Sequence, residues 1–208
     1  MKLLTAKGII GLTGYATSGK DFLFGLLAER GMVARMALAD SLKQDIRPFL
    51  LDKFNIDVLK CSPEDKELIR PLLVAYGKIH RNRSEGTYFT AQITPKAIEL
   101  SKKWLVVVTD VRYADPKFKE DELNWIKNIG GKLIHITKYF ENPDGTRTYV
   151  SPPNEDERIN NETLIEKSDY KIEWKHSLNS LNEIESHVDS VVDYLNENLN
   201  PYSDRRAI

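Results

Sequence analysis

The sequence of 208 residues has few of the features that mark specialised protein classes. Its single cysteine, Cys61, excludes an internal disulfide and a zinc site built on several cysteines. The first apolar run, residues 8–12, is too short for a secretory signal or a membrane span. We therefore expect no membrane partner and a cytoplasmic location.

An excess of charge of one sign is also lacking. Lysine and arginine together number 30 against 31 aspartates and glutamates, which gives a formal net charge of -1. Because a generic binder of nucleic-acid polymers usually has a clear basic excess, we expect no such partner. The four histidines include no pair at metal-ligand spacing, and none is assigned to catalysis.

What is present is an ordinary globular composition, with 41% apolar and 29% charged residues, in which strand-like and helical segments alternate. Apolar runs predict strands at 8–13, 32–39, 104–110, 132–137 and 169–174. Helical spacing predicts helices at 21–30, 41–54, 63–82, 90–102, 116–129, 161–168 and 180–198. The alternation indicates a single α/β domain over 1–208 with a parallel sheet, and the polar segment 140–160 is predicted to be exposed and mobile.

A glycine-rich turn links the first strand to the first helix and fits the pattern G-x-x-x-x-G-K. In this motif backbone N–H groups surround a polyphosphate, the lysine reaches its outer oxygens, and the following helix dipole favours anions. The sequence therefore predicts a polyphosphate site in the loop residues Gly14, Ala16, Thr17, Ser18, Gly19, Lys20 and Asp21, with a simple glycine turn as the alternative. Asp21 stands where the usual motif has a hydroxyl on Mg²⁺, so its carboxylate either holds the ion, directly or through water, or favours the helix N-terminus.

A second carboxylate, Asp110, follows an apolar run at the end of a predicted strand. A nucleotide-binding sheet places the acidic residue that orients Mg²⁺ at this point, and an ordinary turn aspartate is the alternative. Arg112 lies two residues further on, which suggests phosphate handling or a structural salt bridge.

Other arginines form two sets. Arg70, Arg81 and Arg83 surround a predicted helix and suit the recognition of a monophosphate, with solvated charge as the alternative for at least one of them. Arg147 and Arg158 lie in the polar segment, where they would neutralise phosphoryl charge from a closing lid or only keep a loop soluble.

Together these residues resemble the P-loop kinases that act on small phosphorylated acceptors, most closely the phage-type deoxynucleoside monophosphate kinases. The matching elements occur in the family's order over roughly residues 8–175, and they are Ser18-Gly19-Lys20-Asp21, Ala39-Asp40-Ser41-Leu42-Lys43, Tyr76-Gly77-Lys78 with Arg81, Thr109-Asp110-Val111-Arg112-Tyr113 and Gly130-Gly131-Lys132-Leu133-Ile134. Related phosphomevalonate kinases also carry the sequence found at 18–22, and dephospho-coenzyme A kinases share the opening found at 11–14.

The resemblance implies a three-layer fold similar to that of nucleoside monophosphate kinases, with an acceptor-binding helical region at about 41–102 and a mobile lid at about 139–160. It also implies Mg²⁺-dependent phosphoryl transfer from ATP to a (deoxy)nucleoside monophosphate. In that family pattern the loop and Phe22 would hold the ATP phosphates, Asp21 and Asp110 would serve the metal, and Arg147 and Arg158 would belong to the lid. The acceptor phosphate would be faced by Asp40, Lys43, Arg70, Arg81 and Arg112.

Two other functions stay open at this point. One is a kinase for a non-nucleotide phosphorylated acceptor of the phosphomevalonate or dephospho-coenzyme A type. The other is a nucleotide-binding module without turnover. The last predicted helix, with its apolar face, would serve the core or a homodimer.

Overall fold

The computed structural model describes residues 1–118, 120–152, 154–175 and 181–199. The strands are β1 (Gly8–Thr13), β2 (Val33–Met36), β3 (Leu105–Val108), β4 (Lys132–Glu141), β5 (Arg147–Tyr149) and β6 (Tyr170–Lys175). The helices are α1 (Lys20–Ala28), α2 (Leu38–Phe54), α3 (Pro63–Arg83), α4 (Tyr88–Ser101), α5 (Glu122–Asn128), α6 (Glu155–Lys167) and α7 (Leu181–Asn198).

The strands form one mainly parallel sheet. β3 lies between β2 and β1, β1 pairs on its other edge with β4, and β6 runs parallel to β4. β5 is antiparallel to the end of β4, so the two strands form a hairpin beyond the end of β1. All four residues of β3 are buried, as expected for a strand covered on both faces. The predicted α/β fold class with a parallel sheet is confirmed.

Helices cover the two faces of the sheet and make it the middle of three layers. On one face, α1 and α7 pack against β1, β4 and β6, and the apolar face of α7, including Val188, Val191 and Leu195, is fully buried in this core. On the other face, α4 and α5 supply Ile93, Ala97 and Ile126. The apolar face of α7 is therefore used by the core of its own chain. No helix in the described part of the chain is both long and apolar enough to cross a bilayer.

A smaller helical region stands at the carboxyl edge of the sheet. α2 and α3 enclose a separate apolar cluster of Ile46, Leu50, Val58 and Ile69. α2 also packs against α4, which connects this region to the main core. In this position α2 and α3 form a wall that faces the loop after β1.

The start of α2 differs from the sequence expectation. The helix begins at Leu38 and not at Ser41, so Asp40 lies in its first turn and not at the end of a strand. Its N-cap residue, Ala37, offers no side-chain acceptor, and the Asp110 carboxylate accepts from the first helical amides instead. The local sequence contains no trace of this cap, because it comes from another strand.

The polar segment 140–160 is more regular than predicted. β4 extends to Glu141, the chain turns back into β5, and α6 begins at Glu155, six residues before the predicted position. The Asn154 side chain accepts a hydrogen bond from the Glu157 amide and three acidic residues fill the first turn, which is the pattern of a helix N-terminus. Apolar periodicity missed this start because α6 has few apolar residues. Movement of the segment stays a prediction.

Candidate functional site

The loop between β1 and α1 folds tightly over the sheet. Gly14 has a φ of 129° and Gly19 a φ of 102°, both in a region that side chains rarely adopt. A Cβ on Gly14 would lie 2.3 Å from the Ile136 carbonyl oxygen, and one on Gly19 would lie 2.6 Å from Cζ2 of Trp174. Glycine is therefore required at both positions by conformation and by space.

Trp174 of β6 supports this loop from below. Its indole Nε1 donates to the Ser18 carbonyl oxygen at 2.8 Å, and its ring meets the Phe22 ring edge-on at a centroid distance of 5.7 Å. The loop thus rests on a buried aromatic platform, which fixes where its amides lie.

Lys20, the first residue of α1, is buried inside the loop. Its Nζ donates to the carbonyl oxygens of Gly14 at 2.6 Å and Tyr15 at 2.8 Å. Burial, together with the Arg112 guanidinium, lowers the pKa of Lys20 from 10.5 to about 8. An anion bound next to this ammonium would stabilise its charged form.

Polar groups at the end of β1 and in the loop lack hydrogen-bond partners among the described residues. The buried Oγ of Ser18 and Oγ1 of Thr13 have no hydrogen-bond partner among the described residues. The N-terminus of α1 is capped by Gly19, which contributes no side-chain bond to the first amides. Two glycines, a buried cation and unpartnered donors are the features that a polyphosphate requires, so the loop residues fit such a group.

A cleft of about 650 Å³ opens from this loop along the carboxyl edge of the sheet. Its described lining includes seven cationic side chains, Lys20, Arg35, Lys43, Lys66, Arg70, Arg81 and Arg112. Four carboxylates lie among them, Asp21, Asp40, Asp110 and Glu122. The near-neutral chain therefore concentrates positive charge in this one cleft, which is suited to an anionic ligand.

Most residues nominated from the sequence meet there. The cleft is lined by Ala16, Thr17, Gly19, Lys20, Asp21, Phe22, Asp40, Lys43, Arg70, Arg81, Asp110 and Arg112. Gly14 and Ser18 lie in the loop itself.

The two proposed lid arginines and Arg83 lie elsewhere. Arg147 stacks over the Tyr139 ring at 4.3 Å and pairs with Glu173, and Arg158 pairs with Glu155 on its own helix. Arg83 is exposed at the end of α3 and does not line the cleft.

Asp110 is not a free metal ligand in this structure. Its two carboxylate oxygens accept hydrogen bonds of 2.8 Å from the amides of Leu38 and Ala39. Burial raises the pKa of Asp110 although both amides favour its ionised form. Asp21 is exposed in the first turn of α1. Within the described ranges, no three His, Cys, Asp or Glu side chains form a group able to hold a metal ion.

Other residues of the site escaped the sequence reasoning. Arg35 pairs with Asp40 at 2.9 Å, and the Arg81 guanidinium lies 3.6 Å above the centre of the Tyr113 ring. Arg35 interrupts an apolar run, which is a signal that could have been noticed. No pattern in the neighbouring sequence indicates that Tyr113 lies under the Arg81 guanidinium.

Glu122, at the start of α5, is a buried carboxyl of the same site. It accepts hydrogen bonds from the amides of Arg112 at 2.7 Å and Tyr113 at 3.2 Å. Burial raises its pKa to about 7, although the nearby Arg81 opposes the shift. Glu122 reaches the site because α5 packs against the segment that follows β3. No pattern in the sequence predicts this packing.

Comparisons with known proteins found similarity only among solved structures: no protein-family model and no curated protein matches the chain. A dephospho-CoA kinase from Campylobacter jejuni is 17% identical, with a TM-score of 0.48, over 91% of this chain and 97% of its own. A shikimate kinase from Bacteroides thetaiotaomicron is 17% identical, with a TM-score of 0.45, over 92% and 99%. An APS kinase from Mycobacterium tuberculosis is 13% identical, with a TM-score of 0.37, over 92% and 98%.

Proposed function

We propose that the protein transfers the terminal phosphoryl group of ATP to the phosphate of a (deoxy)nucleoside monophosphate and so forms the diphosphate. The observation that supports this proposal most strongly is the single cleft that joins the phosphate-type loop to a second set of cations. Lys20 and the loop amides lie at one end, and side chains of α2, α3 and the β3 end form the other. Such a cleft can hold two phosphate groups side by side.

The charges match what phosphoryl transfer demands. This reaction needs little covalent help from the protein, because alignment of the two phosphates and neutralisation of their charge supply most of the rate enhancement. Arg70 and Arg81 would hold the acceptor phosphate from α3, with Lys43 from α2. Arg112, on the strand end between the two sets, would contact the group in transfer. The acceptor's own phosphate oxygen is the nucleophile.

Mg²⁺ would enter with ATP. The ion usually keeps several waters and takes one or two carboxylates besides phosphate oxygens, so a full protein cage is not needed. Asp21 has an exposed carboxylate beside the loop, and Asp110 would act through water because its oxygens already accept from α2. When bound, the ion neutralises charge on the phosphates.

The acceptor is the least constrained part of this function. The nucleotide assignment rests on the resemblance seen in the sequence, whereas the cationic cleft would suit another phosphorylated acceptor equally well. Phosphomevalonate and dephospho-coenzyme A are therefore the alternatives, and a nucleotide-binding module without turnover is the third.

An acceptor panel tests the proposal. Purified protein is incubated with Mg²⁺-ATP and each ribo- and deoxyribonucleoside monophosphate, phosphomevalonate or dephospho-coenzyme A, and products are separated by chromatography. We expect a diphosphate from at least one nucleoside monophosphate. Transfer to a non-nucleotide acceptor alone would favour the alternative kinase, and no transfer to any compound would leave the binding module.

Lys20→Ala separates specific turnover from contamination. Removing this buried ammonium should lower kcat at least about 100-fold, since it deletes a charge-assisted contact to the transferring phosphates. Lys103→Ala, at an exposed position outside the cleft, is the matched control and should retain full turnover. Equal activity of the two variants would contradict the role given to the loop.

A further inference from the structure

α6 carries a carboxylate that contacts two groups of the phosphate site. Glu157 is 9% exposed, and its Oε1 accepts from Nη1 of Arg112 at 2.8 Å. Its Oε2 accepts from the backbone amide of Ala16, in the phosphate-type loop, at 3.2 Å. One carboxylate thus binds an amide of the loop and a guanidinium that lines the cleft.

The sequence position of Glu157 makes this arrangement unusual. Glu157 is the third residue of α6, and Asn154 is its N-cap. In a capping box the acidic side chain at this position turns back to the N-cap amide. Asn154 makes its half of that exchange, but the Glu157 carboxylate points away from its own helix towards Ala16 and Arg112. Its place is therefore not explained by the needs of α6.

The charge of Glu157 also reaches the other cations of the cleft. Burial and Arg112 lower the pKa of Lys20, and the Glu157 charge opposes this shift. The hydrogen bond from Arg70 to Glu67 is the main cause of the raised pKa of Arg70, to which the Glu157 charge adds. A buried anion among three cations neutralises the field that would attract a phosphate. Phosphate oxygens would accept hydrogen bonds from the same two groups, the Ala16 amide and the Arg112 guanidinium.

α6 is held in place in a way that permits release. Three of its four buried residues are polar, Glu157, Asn160 and Asn161, and only Leu164 is apolar. Asn160 accepts from the Ala114 amide at 2.9 Å. A helix that docks through polar contacts loses little hydrophobic stabilisation when it moves, because water replaces those contacts.

From this geometry we infer that Glu157 is an internal stand-in for phosphate: it occupies the Ala16 amide and Arg112 until a polyphosphate displaces it, which couples phosphate binding to movement of the first turn of α6. The inference rests on the proposed function in that the displacing ligand is the phosphate chain of ATP. Glu157 acts as a positioning residue, because it touches the groups that bind substrate and not the substrate.

The affinity for polyphosphate measures directly the competition between the Glu157 carboxylate and a phosphate. Affinities of wild type and Glu157→Gln for inorganic tripolyphosphate and for ADP are determined by titration calorimetry, without any need for turnover. We expect Glu157→Gln to bind both ligands about tenfold more tightly, which is the scale of one charge-assisted hydrogen bond that no longer has to be given up. A carboxylate that only held α6 in place would give unchanged or weaker binding in this variant.

Glu166→Gln is the matched control. It removes the same charge from the same helix at an exposed position near the far end, so its affinity should equal that of wild type. Equal tightening in both variants would overturn the inference, because the effect would then come from net charge alone.

A second measurement needs no variant and therefore does not depend on how well a variant folds. In a crystal structure of wild type with tripolyphosphate bound, a phosphate oxygen should accept from the Ala16 amide and the Glu157 carboxylate should have left it. A carboxylate that stays on Ala16 and Arg112 beside bound phosphate would contradict the stand-in role. Displacement without phosphoryl transfer in the acceptor panel would support this inference while the proposed function fails.

Discussion

At the scale of single residues, the environment of a carboxyl group decides its behaviour more than its identity does. Glu122 is a buried carboxyl in the lining of the cleft, and burial raises its pKa to about 7. Burial also raises the pKa of its neighbour Asp121 to about 6. Asp57 lies at the surface, where a hydrogen bond from Arg47 lowers its pKa to about 2. The buried pair therefore titrates near neutral pH, and Asp57 does not.

Glu122 should make stability depend on pH in a defined direction. Its pKa is 4.5 in the unfolded reference and about 7 in the native state, so between these values the native protein binds more protons. The free energy of unfolding must then fall as the pH rises from 4.5 to 7, by about 2–3 kcal/mol from this group. Urea unfolding of wild type and of Glu122→Gln at pH 5 and pH 8 isolates this contribution, because Asp121 and His135 also titrate in this window and with opposite signs.

Glu122→Gln should remove the Glu122 part of this dependence, because glutamine does not titrate in this range. Its amide oxygen can still accept hydrogen bonds from the amides of Arg112 and Tyr113, so the native packing should be kept. Two contributions would remain: that of Asp121, which has the same sign, and that of His135, whose pKa burial lowers to about 4 and which has the opposite sign. Glu99→Gln, at an exposed position on α4, should preserve the wild-type slope. An unchanged slope in Glu122→Gln would show that the buried carboxyl does not titrate in this range.

At the scale of elements, patterns in consecutive residues predicted the features whose cause lies within those same residues. The loop after β1 and the apolar run of β3 were found because each carries its own signal in consecutive residues. The start of α2 was misplaced because its cap, Asp110, comes from 72 residues away along the chain. The start of α6 was placed too late because a polar helix lacks apolar periodicity. A tertiary contact decided the start of α2, and tertiary contacts also placed Glu122 and Glu157 in the site. The start of α6 does carry a local signal, the Asn154 cap followed by acidic residues, which apolar periodicity does not detect.

The β4–β5 hairpin and α6 carry the proposed lid arginines. Arg147 and Arg158 make exposed ion pairs with Glu173 and Glu155, and such pairs contribute little to stability. If this unit closes over the cleft, Arg147→Ala and Arg158→Ala should each lower kcat at least about tenfold while the free energy of unfolding changes little. Steady-state kinetics with the accepted monophosphate gives both values of kcat.

Lys175→Ala provides the comparison for these variants. Lys175 forms an ion pair with Glu141 at the same hairpin but belongs to no proposed contact with substrate. Its kcat should match wild type. The lid assignment is wrong if both arginine variants also retain wild-type kcat.

At the scale of the whole molecule, the two ends of the described chain are tied together. The Asn196 side chain, on α7, accepts from the amides of Thr5 and Ala6 at 2.9 Å and donates to the Leu3 carbonyl oxygen at 3.0 Å. These hydrogen bonds of Asn196 to residues 3–6, called the clasp below, lie on the face of the sheet that α1 and α7 cover. Sequence patterns predicted α7 and its apolar face, but a contact across 190 residues leaves no local trace.

Asn196→Ala should loosen this clasp. Two backbone donors would lose their partner, which should lower the free energy of unfolding by about 1–3 kcal/mol without affecting the cleft. Urea unfolding monitored by circular dichroism measures the change. Asn198→Ala, on the same helix, is the control because, among the described residues, its side chain bonds within α7, to the Tyr194 carbonyl oxygen. Equal stability of the two variants would contradict the importance of the clasp.

The aromatic support under the loop gives the protein an optical signal of its own. Among three tryptophans, Trp174 touches Gly19 and donates to Ser18, whereas Trp125 lies in the opposite layer with its indole Nε1 on Thr94. Any rearrangement of the loop around a phosphate changes the surroundings of the Trp174 indole. Its fluorescence can therefore follow occupancy of the loop in the unlabelled protein, on the timescale of stopped-flow mixing.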